Sequence, residues 1–324
     1  MNQVTITYEG DEISCDPDKT ILDNLLDQQK SVTHSCKKGS CLTCVMKTSH
    51  EVDPKSTAPL KPTMVEQGYF LSCQQKPQSG MVLSAPESND LFIKAQIKSV
   101  EYLMGHVFRV YLRPLEDFNY RAGQFLNIKG PEGEVRSYSI ASIPADDLIE
   151  LHVTEHKHGI VSRWLCNVER TGAEIEISGA NGDCFYMPGK PEQAMLLIGT
   201  STGLAPLLGI IRDAIDNGHH GKIVLYHGAV RDSGLYMRRT LSKLAEETAN
   251  LTICYGTLEH SDDNDNAVGN IQDIALSKNP NLKDWRVFLC GDPEMVKKTK
   301  TKAYLADAAL SDILADPFEL RTTL

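Results

Sequence analysis

The chain has 324 residues, more than one hydrophobic core usually holds, so two or three domains are expected. Its 33 basic and 43 acidic side chains give a formal net charge of -10, which argues against nucleic acid as a partner, because phosphate binding needs clustered Lys and Arg. No signal peptide pattern or bilayer-spanning apolar run is present, so we expect a cytoplasmic protein that binds no membrane. Nine cysteines in such a chain favour reduced thiols over a disulfide framework.

The first region, residues 1–86, has the pattern of a small mixed domain with a loop rich in cysteines. "VTITYE" alternates as a strand does, and "KTILDNLLDQQ" favours a helix. Cys36, Cys41 and Cys44 follow the spacing C-x4-C-x2-C, and Cys73 comes after 28 further residues. This spacing is typical of a plant-type [2Fe-2S] cluster, in which two thiolates bind each iron. Structural zinc is the alternative, but zinc sites usually show two short C-x2-C pairs, and this region has one.

The second region, residues 87–190, follows a linker expected near "SAPESND". Short alternating segments dominate it, among them "VFRVYLR", "QFLNIKG", "SYSIAS", "LIELHVTE" and "EIEISG". Gly and Pro separate these segments, a pattern that predicts an antiparallel barrel.

The third region, residues 191–324, alternates strand and helix patterns, which predicts an α/β domain with a parallel sheet. Between the strand "AMLLIG" and the helix "PLLGIIRDAIDNG" lies a turn with Gly199, Thr200, Gly203 and Pro206. A glycine-rich turn at this place lets the backbone approach a pyrophosphate at a helix N-terminus. Its spacing differs from the G-x-G-x-x-G of ordinary dinucleotide folds.

Taken together, these motifs resemble the ferredoxin-NADP reductase superfamily. The cysteine region, with "LKPTMVEQGYFLSC", is similar to plant-type ferredoxins; "RSYS" is similar to the R-x-Y-[ST] flavin signature, and "CGDPEMV" to the C-G-x-P-x-M-V segment. The domain order resembles the NADH-dependent reductase components of bacterial oxygenases, such as benzoate dioxygenase reductase, phenol hydroxylase reductase and methane monooxygenase reductase. The resemblance implies an α+β ferredoxin-like (β-grasp) domain, a six-stranded antiparallel flavin barrel and an α/β nucleotide domain.

For the flavin, the resemblance implies that Arg136 neutralises its phosphate, Tyr138 covers one ring face and the Ser139 hydroxyl lies near N5. Gly159 and Ser162 would open a helix that holds the pyrophosphate, although the same residues also suit a plain helix start. Further flavin contacts are expected at Ser137, His152 and Val153. The segment "GANGDCFYMP" favours FAD, but it has Ala180 in place of the usual Pro, so FMN stays open.

For the nicotinamide nucleotide, the resemblance places Cys290 beside the nicotinamide, although a small buried hydrophobe is the more common fate of a free thiol. Phe318 would lie over the flavin, or would be an ordinary core residue. Glu259 follows a strand where relatives that select NADPH place a cation, so NADH is expected, while Arg238 and Arg239 keep NADPH open. The remaining predicted contacts of the nucleotide are Arg231, Gly291 and Asp292. The predicted unmodified thiols are Cys15, Cys166, Cys184 and Cys254.

The resulting hypothesis is an NAD(P)H-dependent reductase that passes electrons from nicotinamide through flavin to a [2Fe-2S] cluster and on to an oxygenase component. Nicotinamide gives two electrons and the cluster accepts one at a time, so a flavin must stand between them. Lys37 and Lys38 beside the cluster would face the acceptor. A deoxysugar dehydrase is an alternative acceptor, and a non-enzymatic redox sensor is an alternative function. A monomer is expected.

Overall fold

The computed structural model describes residues 3–60, 62–86, 91–259, 261 and 263–318, and these form three sheets with their associated helices. Residues 87–90, within the stretch where the first linker is expected, lie outside the described residues, as do the last six residues of the chain. Within the part of the chain that the structure describes, no helix is long and apolar enough to cross a membrane.

The N-terminal domain is a five-stranded mixed sheet covered by a helix. Alternation in β1 buries Ile6 and Tyr8, which share a core with Ile21 and Leu25 of the first helix. Thr20 caps that helix, because its hydroxyl accepts a hydrogen bond from the Asp23 N–H at 3.1 Å. The sheet order is β2-β1-β5-β3-β4. The strands are β1 (Val4–Tyr8), β2 (Asp11–Cys15), β3 (Val45–Thr48), β4 (Tyr69–Leu71) and β5 (Val82–Ser84), and the helices are α1 (Ile21–Asp27), α2 (Pro54–Thr57) and α3 (Pro62–Glu66).

The middle domain is a six-stranded antiparallel sheet in the order β10-β7-β6-β11-β8-β9. An isolated bridge between Ile140 and Leu151 joins its two ends, so the sheet closes into a barrel. Its inward-facing residues include Val110, Leu126 and Ile128, all fully buried. The strands are β6 (Ile93–Met104), β7 (Val107–Pro114), β8 (Phe125–Lys129), β9 (Val135–Ser139), β10 (Ile149–Thr154) and β11 (Glu174–Asn181), with the short helix α4 (Ile160–Leu165).

The C-terminal domain is a six-stranded parallel sheet in the order β15-β14-β13-β12-β16-β17, with hydrophobic cores on both faces. Strands covered on both faces are near-continuous apolar runs, as the buried "MLLIG" of β12 shows. The strands are β12 (Met195–Thr200), β13 (Ile223–Ala229), β14 (Leu251–Thr257), β15 (Ala267–Val268), β16 (Arg286–Gly291) and β17 (Ile313–Pro317). The helices are α5 (Leu204–Asp216), α6 (Arg238–Glu247), α7 (Ile271–Lys278) and α8 (Pro293–Leu305).

The order of the parallel strands reverses between β12 and β16, and their carboxyl ends, at Gly199 and Cys290, are direct neighbours. In open α/β sheets ligands bind at such a switch point. The predicted fold class, with an α+β domain, an antiparallel barrel and an α/β domain, is confirmed. The domain limits at residues 86 and 190 stay predictions.

Candidate functional site

The four cysteines of the first domain form two pairs. Cys44 precedes β3 and Cys73 follows β4, and because these strands are antiparallel neighbours, their pairing brings the two thiols into hydrogen-bond contact. Cys36 and Cys41 form the second pair within the loop. Cys41, Cys44 and Cys73 are buried, whereas Cys36 is half-buried.

Backbone N–H groups of the loop point at the sulfur of Cys36. Lys38 N–H donates to it at 3.3 Å and Cys41 N–H at 3.4 Å, and the Ser40 hydroxyl donates at 3.4 Å. Gly39 makes this possible with φ of +84°, in the left-handed region that favours glycine. The hydrogen bond from the Cys41 thiol, together with these donors, lowers the pKa of Cys36 to about 4. The loop therefore favours the thiolate of Cys36, the form that binds iron, whereas the hydrogen bonds to their partner thiols, together with burial, raise the pKa of Cys41 and of Cys44.

The paired arrangement fits two irons better than one zinc. Cys36 with Cys41 and Cys44 with Cys73 form two thiol pairs, which match a two-iron cluster with two thiolates on each iron. N–H donors to the sulfurs are also the contacts that tune such a cluster.

The segment "RSYS" forms most of β9, the last strand in the order of the barrel sheet. Alternation puts Ser137 and Ser139 on one face of the strand and Arg136 and Tyr138 on the other. The Ser139 hydroxyl donates to Asp316 Oδ2 of the C-terminal domain at 2.7 Å. Tyr138 packs against the barrel core. The signature therefore has two different faces, and one of them touches the nucleotide domain.

Ser162 has a local structural role at the start of α4. Its hydroxyl accepts from the His156 N–H at 3.2 Å, and a Cβ on Gly159 would lie 2.3 Å from its oxygen. These contacts explain why this turn needs glycine and serine. Val153, on the nearby strand β10, has its side chain fully buried in the barrel core. The predicted contact with a flavin would therefore have to be made by its backbone.

His152 belongs to a buried polar network between the barrel and the C-terminal domain. Its Nδ1 lies 2.9 Å from the Tyr236 hydroxyl and its Nε2 lies 3.0 Å from Glu150 Oε1. Burial alone would raise the pKa of Glu150, but the hydrogen bond with His152 and the charges of Arg109 and Arg212 outweigh it and lower that pKa. Both ring nitrogens of His152, which is predicted to contact the flavin, thus have partners within the protein, and one of these partners lies in the C-terminal domain.

The nucleotide turn after β12 packs tightly against the turn after β16. A Cβ on Gly203 would lie 2.3 Å from the Cys290 carbonyl oxygen, and one on Gly291, at φ of +120°, would lie 2.6 Å from Thr200 Oγ1. The Asp292 N–H donates to Thr200 Oγ1 at 3.2 Å. The structure therefore brings together two motifs that are about 90 residues apart in the sequence. The other predicted residues of the first turn are Gly199, at the end of β12, and Pro206, buried in α5.

Three further groups converge beside this turn. The Cys290 sulfur is fully buried 3.6 Å from the Cys184 sulfur of the "GDCFYMP" segment, and burial raises the pKa of the Cys290 thiol. Asp316 pairs with Cys290 across β16 and β17, and burial raises the pKa of this carboxyl to about 6. The Phe318 N–H donates to the Gly291 carbonyl at 2.7 Å, which places the predicted aromatic at the same sheet edge.

At the far side of the sheet edge, Arg231 and Glu259 form an ion pair. Arg231 follows β13 and Glu259 follows β14, and Arg231 Nε lies 2.5 Å from Glu259 Oε2. Both side chains are exposed, at 71% and 49%. Arg238 lies over the Tyr255 ring at 4.5 Å and pairs with Asp263 at 2.8 Å. Glu259, which favours NADH in the sequence, and Arg231, a predicted contact of the nucleotide, are thus one unit.

Sequence reasoning missed two residues that connect the domains. The sequence analysis assigns a role to Phe318 and none to Asp316, two residues before it, although a carboxylate at the end of a parallel strand is a recognisable sign of a ligand site. Asn127, inside "QFLNIKG", looked like an ordinary polar strand residue, yet its amide donates to the Cys41 carbonyl oxygen at 2.9 Å. Its partner lies 86 residues away in the chain, so no local pattern could have shown the contact.

Comparison with known families matches all three domains in the order found. Residues 4–78 match a 2Fe-2S iron-sulfur cluster binding domain, residues 96–186 an oxidoreductase FAD-binding domain, and residues 197–301 an oxidoreductase NAD-binding domain. The prediction of a [2Fe-2S] cluster, FAD and a nicotinamide nucleotide as the bound groups is confirmed by these matches. The roles of individual flavin and nucleotide residues stay predictions.

Relatives match over nearly the whole chain. The ferredoxin-NAD(P)+ reductase component of the naphthalene 1,2-dioxygenase system of Pseudomonas putida is 28% identical, over 92% of this chain and 93% of its own. The reductase subunit of an aromatic O-demethylase from Amycolatopsis is 30% identical, over 90% and 91%. The CDP-6-deoxy-L-threo-D-glycero-4-hexulose-3-dehydrase reductase of Yersinia pestis is 27% identical, over 97% and 98%.

Among solved structures, a cytochrome P450 reductase from Amycolatopsis superposes with a TM-score of 0.69 and 27% identity, over 97% of this chain and 98% of its own. These relatives confirm the prediction of an NAD(P)H-dependent oxidoreductase that transfers electrons through flavin and an iron-sulfur cluster. The chain belongs to the ferredoxin-NADP reductase superfamily, in the three-domain type represented by the reductase components of oxygenases.

Proposed function

We propose that this chain is the NADH-oxidising reductase component of an oxygenase system and delivers single electrons to that oxygenase from its [2Fe-2S] cluster. One observation carries the proposal: the strand with the flavin signature contacts the nucleotide domain directly and the cluster domain through Asn127 of the paired strand β8. Ser139 donates to Asp316 at the nucleotide edge, and Ser137 donates to Asn127, whose amide holds the cluster loop at Cys41. A flavin bound at this strand lies between donor and acceptor.

The residues of the site divide the work. The four cysteines hold the cluster, and Arg136 neutralises the flavin phosphate. When bound, the flavin takes a hydride from the nicotinamide and releases its electrons singly to the cluster. Cys290 and Asp316, packed beside the Thr200 turn, exclude water from the place where the nicotinamide meets the flavin. Phe318 covers the flavin from the same sheet edge.

NADH is the proposed reductant because of the pair formed by Arg231 and Glu259. The carboxylate neutralises the guanidinium and suits a ribose hydroxyl, whereas a 2'-phosphate would have to compete with it for the arginine. This selectivity is tested by the charge-neutral variant of Glu259 described in the Discussion.

The acceptor is proposed to meet the cluster at Cys36, which is the most exposed of the four ligands. Lys37 and Lys38 are exposed beside it, and Lys37 forms an ion pair with Asp23 at 2.9 Å. A deoxysugar dehydrase is the second candidate acceptor, because the Yersinia relative matches a larger share of this chain than the naphthalene dioxygenase relative does. We further propose that the protein works as a monomer in the cytoplasm.

The experiment removes the cluster and leaves the flavin. Wild-type protein is expected to contain about two irons, two acid-labile sulfides and one FAD per chain. Cys36→Ala should lose the iron, keep NADH-driven ferricyanide reduction by the flavin, and lose most cytochrome c reduction. Cys254→Ala, which changes an equally half-buried thiol in the C-terminal domain, is the control and should keep all three properties. Undiminished cytochrome c reduction without iron would refute the route, and absence of any NADH turnover would favour a redox sensor.

A further inference from the structure

Asn127 sits at the centre of a polar row that crosses three strands of the barrel. In the antiparallel register its cross-strand neighbours are Ser137 on β9 and Ser178 on β11, so the three side chains share one face of the sheet. The Ser137 hydroxyl donates to Asn127 Oδ1 at 2.8 Å, and Asn127 Nδ2 lies 3.3 Å from the Ser178 hydroxyl. The row therefore fixes the asparagine amide from both sides.

The second N–H of that amide donates to a residue outside the barrel. Asn127 Nδ2 donates to the carbonyl oxygen of Cys41 at 2.9 Å, and Asn127 is only 1% exposed. A carbonyl oxygen can only accept, and the Ser137 hydroxyl donates to Oδ1, so the orientation of the amide is determined. Both N–H hydrogens of this buried amide have partners and its oxygen accepts one hydrogen bond, and one of the two donations goes to the backbone of a predicted cluster ligand.

Next to the contact between Asn127 and Cys41, a cavity of about 140 Å³ lies between the first domain and the barrel, lined on one side by Thr43 and Val45 and on the other by Phe92 and Lys129. Contacts across a cavity do not hold two surfaces in register. A buried, fully satisfied hydrogen bond beside it does, because breaking it leaves a buried carbonyl without a donor.

We propose that Asn127 is the positioning residue for electron transfer between flavin and cluster: it docks the Cys41 end of the cluster loop onto β8, the strand paired with the one that carries the flavin signature. The inference rests on the proposed function. In the step concerned, one electron leaves the reduced flavin and converts one ferric iron to ferrous, and no bond forms or breaks. Asn127 acts by holding the two domains in one arrangement, and it touches neither reacting group itself.

The test uses the full-length holoprotein and three variants. Asn127→Asp has nearly the same shape and keeps an acceptor for Ser137, but it turns an oxygen toward the Cys41 carbonyl. Asn127→Ala removes all three contacts. Ser178→Ala is the matched control, because it removes the 3.3 Å contact of the same nitrogen and leaves the Cys41 contact intact. If Asn127→Ala fails to retain flavin, the aspartate variant decides.

The first readout is hydrogen–deuterium exchange of residues 36–45 in the resting, oxidised protein without nucleotide. Loss of one buried hydrogen bond weakens docking by roughly fivefold to a hundredfold, so exchange in this loop should rise about fivefold or more in both Asn127 variants. The second readout is stopped-flow absorbance after mixing with NADH. Flavin bleaching should stay within about twofold of wild type, while cluster reduction slows about fivefold or more.

Equal exchange and equal cluster reduction in the Asn127 variants and the Ser178→Ala control would overturn the inference. Raised exchange with unchanged cluster reduction would overturn it as well, because docking would then not govern electron transfer. If wild-type cluster is never reduced by NADH, the proposed function fails and the transfer role fails with it. Raised exchange in that case still shows that the docking contact itself is real.

Discussion

Asp316 provides a test of the site through pH. Asp316 is half-buried, and desolvation of its carboxyl raises the pKa from 3.8 to about 6, while the hydrogen bond from Ser139 offsets part of that rise. A carboxyl whose pKa is raised on folding lowers stability as pH increases, because the folded state resists losing the proton. The effect begins near pH 4, grows through pH 6 and is complete above about pH 7.

The full size of this effect is about 3 kcal/mol, since each pKa unit corresponds to about 1.4 kcal/mol. About 2 kcal/mol of it develops between pH 4.5 and 7.5. Asp316→Asn removes the ionisation and keeps an oxygen that accepts from Ser139. The stability of this variant relative to wild type should therefore increase by about 2 kcal/mol between these two pH values, a change of roughly 3 °C in the relative melting temperature.

The measurement is thermal unfolding of the FAD-loaded protein without nucleotide, at pH 4.5, 6 and 7.5, with Asp265→Asn as a charge control on an exposed turn. In Ser139→Ala the carboxyl loses its donor, so the relative effect of Asp316→Asn should grow in that background. A difference between wild type and Asp316→Asn that stays constant with pH would refute the reasoning. It would mean that the carboxyl is not desolvated beside Cys290 when the flavin is bound.

Two further variants test contacts at the domain edges. Glu259→Gln keeps the shape of the residue but frees Arg231 from its carboxylate, so kcat/KM for NADPH should rise about tenfold while that for NADH changes by less than about threefold; unchanged selectivity in steady-state kinetics would contradict a role of the pair in nucleotide choice. Tyr236→Phe leaves the Nδ1 of buried His152 without its partner and should lower the free energy of unfolding by about 1–3 kcal/mol in urea titration. Wild-type stability would mean that the network between barrel and nucleotide domain contributes nothing.

Local patterns were sufficient for the elements and for the cluster. The four cysteines were predictable because a tight loop fixes three of them and sheet pairing delivers Cys73. Strand periodicity also specified the buried run of β12 and the alternation of β9. The motifs after β12 and β16 were recognised separately, and their contact follows from the switch point of a parallel sheet.

The sequence could not show which polar side chains serve a ligand and which serve another domain. His152 was expected at the flavin, but its partner Tyr236 lies 84 residues away, and only the packed domains bring them together. Val153 was expected there too, although alternation along β10 points its side chain into the barrel core. Cys184 is predicted to be an unmodified thiol, and the sequence could not show that the fold places it against Cys290.

Ser137 and Ser139 stand two residues apart on one strand and face the same way, so the contacts toward the cluster and toward the nucleotide are separated by only about 7 Å of backbone. β9 thus positions the nucleotide domain directly through Ser139, and it positions the cluster loop through Ser137 and Asn127. A deletion or insertion of one residue before Ser137 would turn both hydroxyls to the other face at once. A foreign cluster domain grafted onto this barrel would therefore first need a loop carbonyl in a position to accept the hydrogen bond from Asn127.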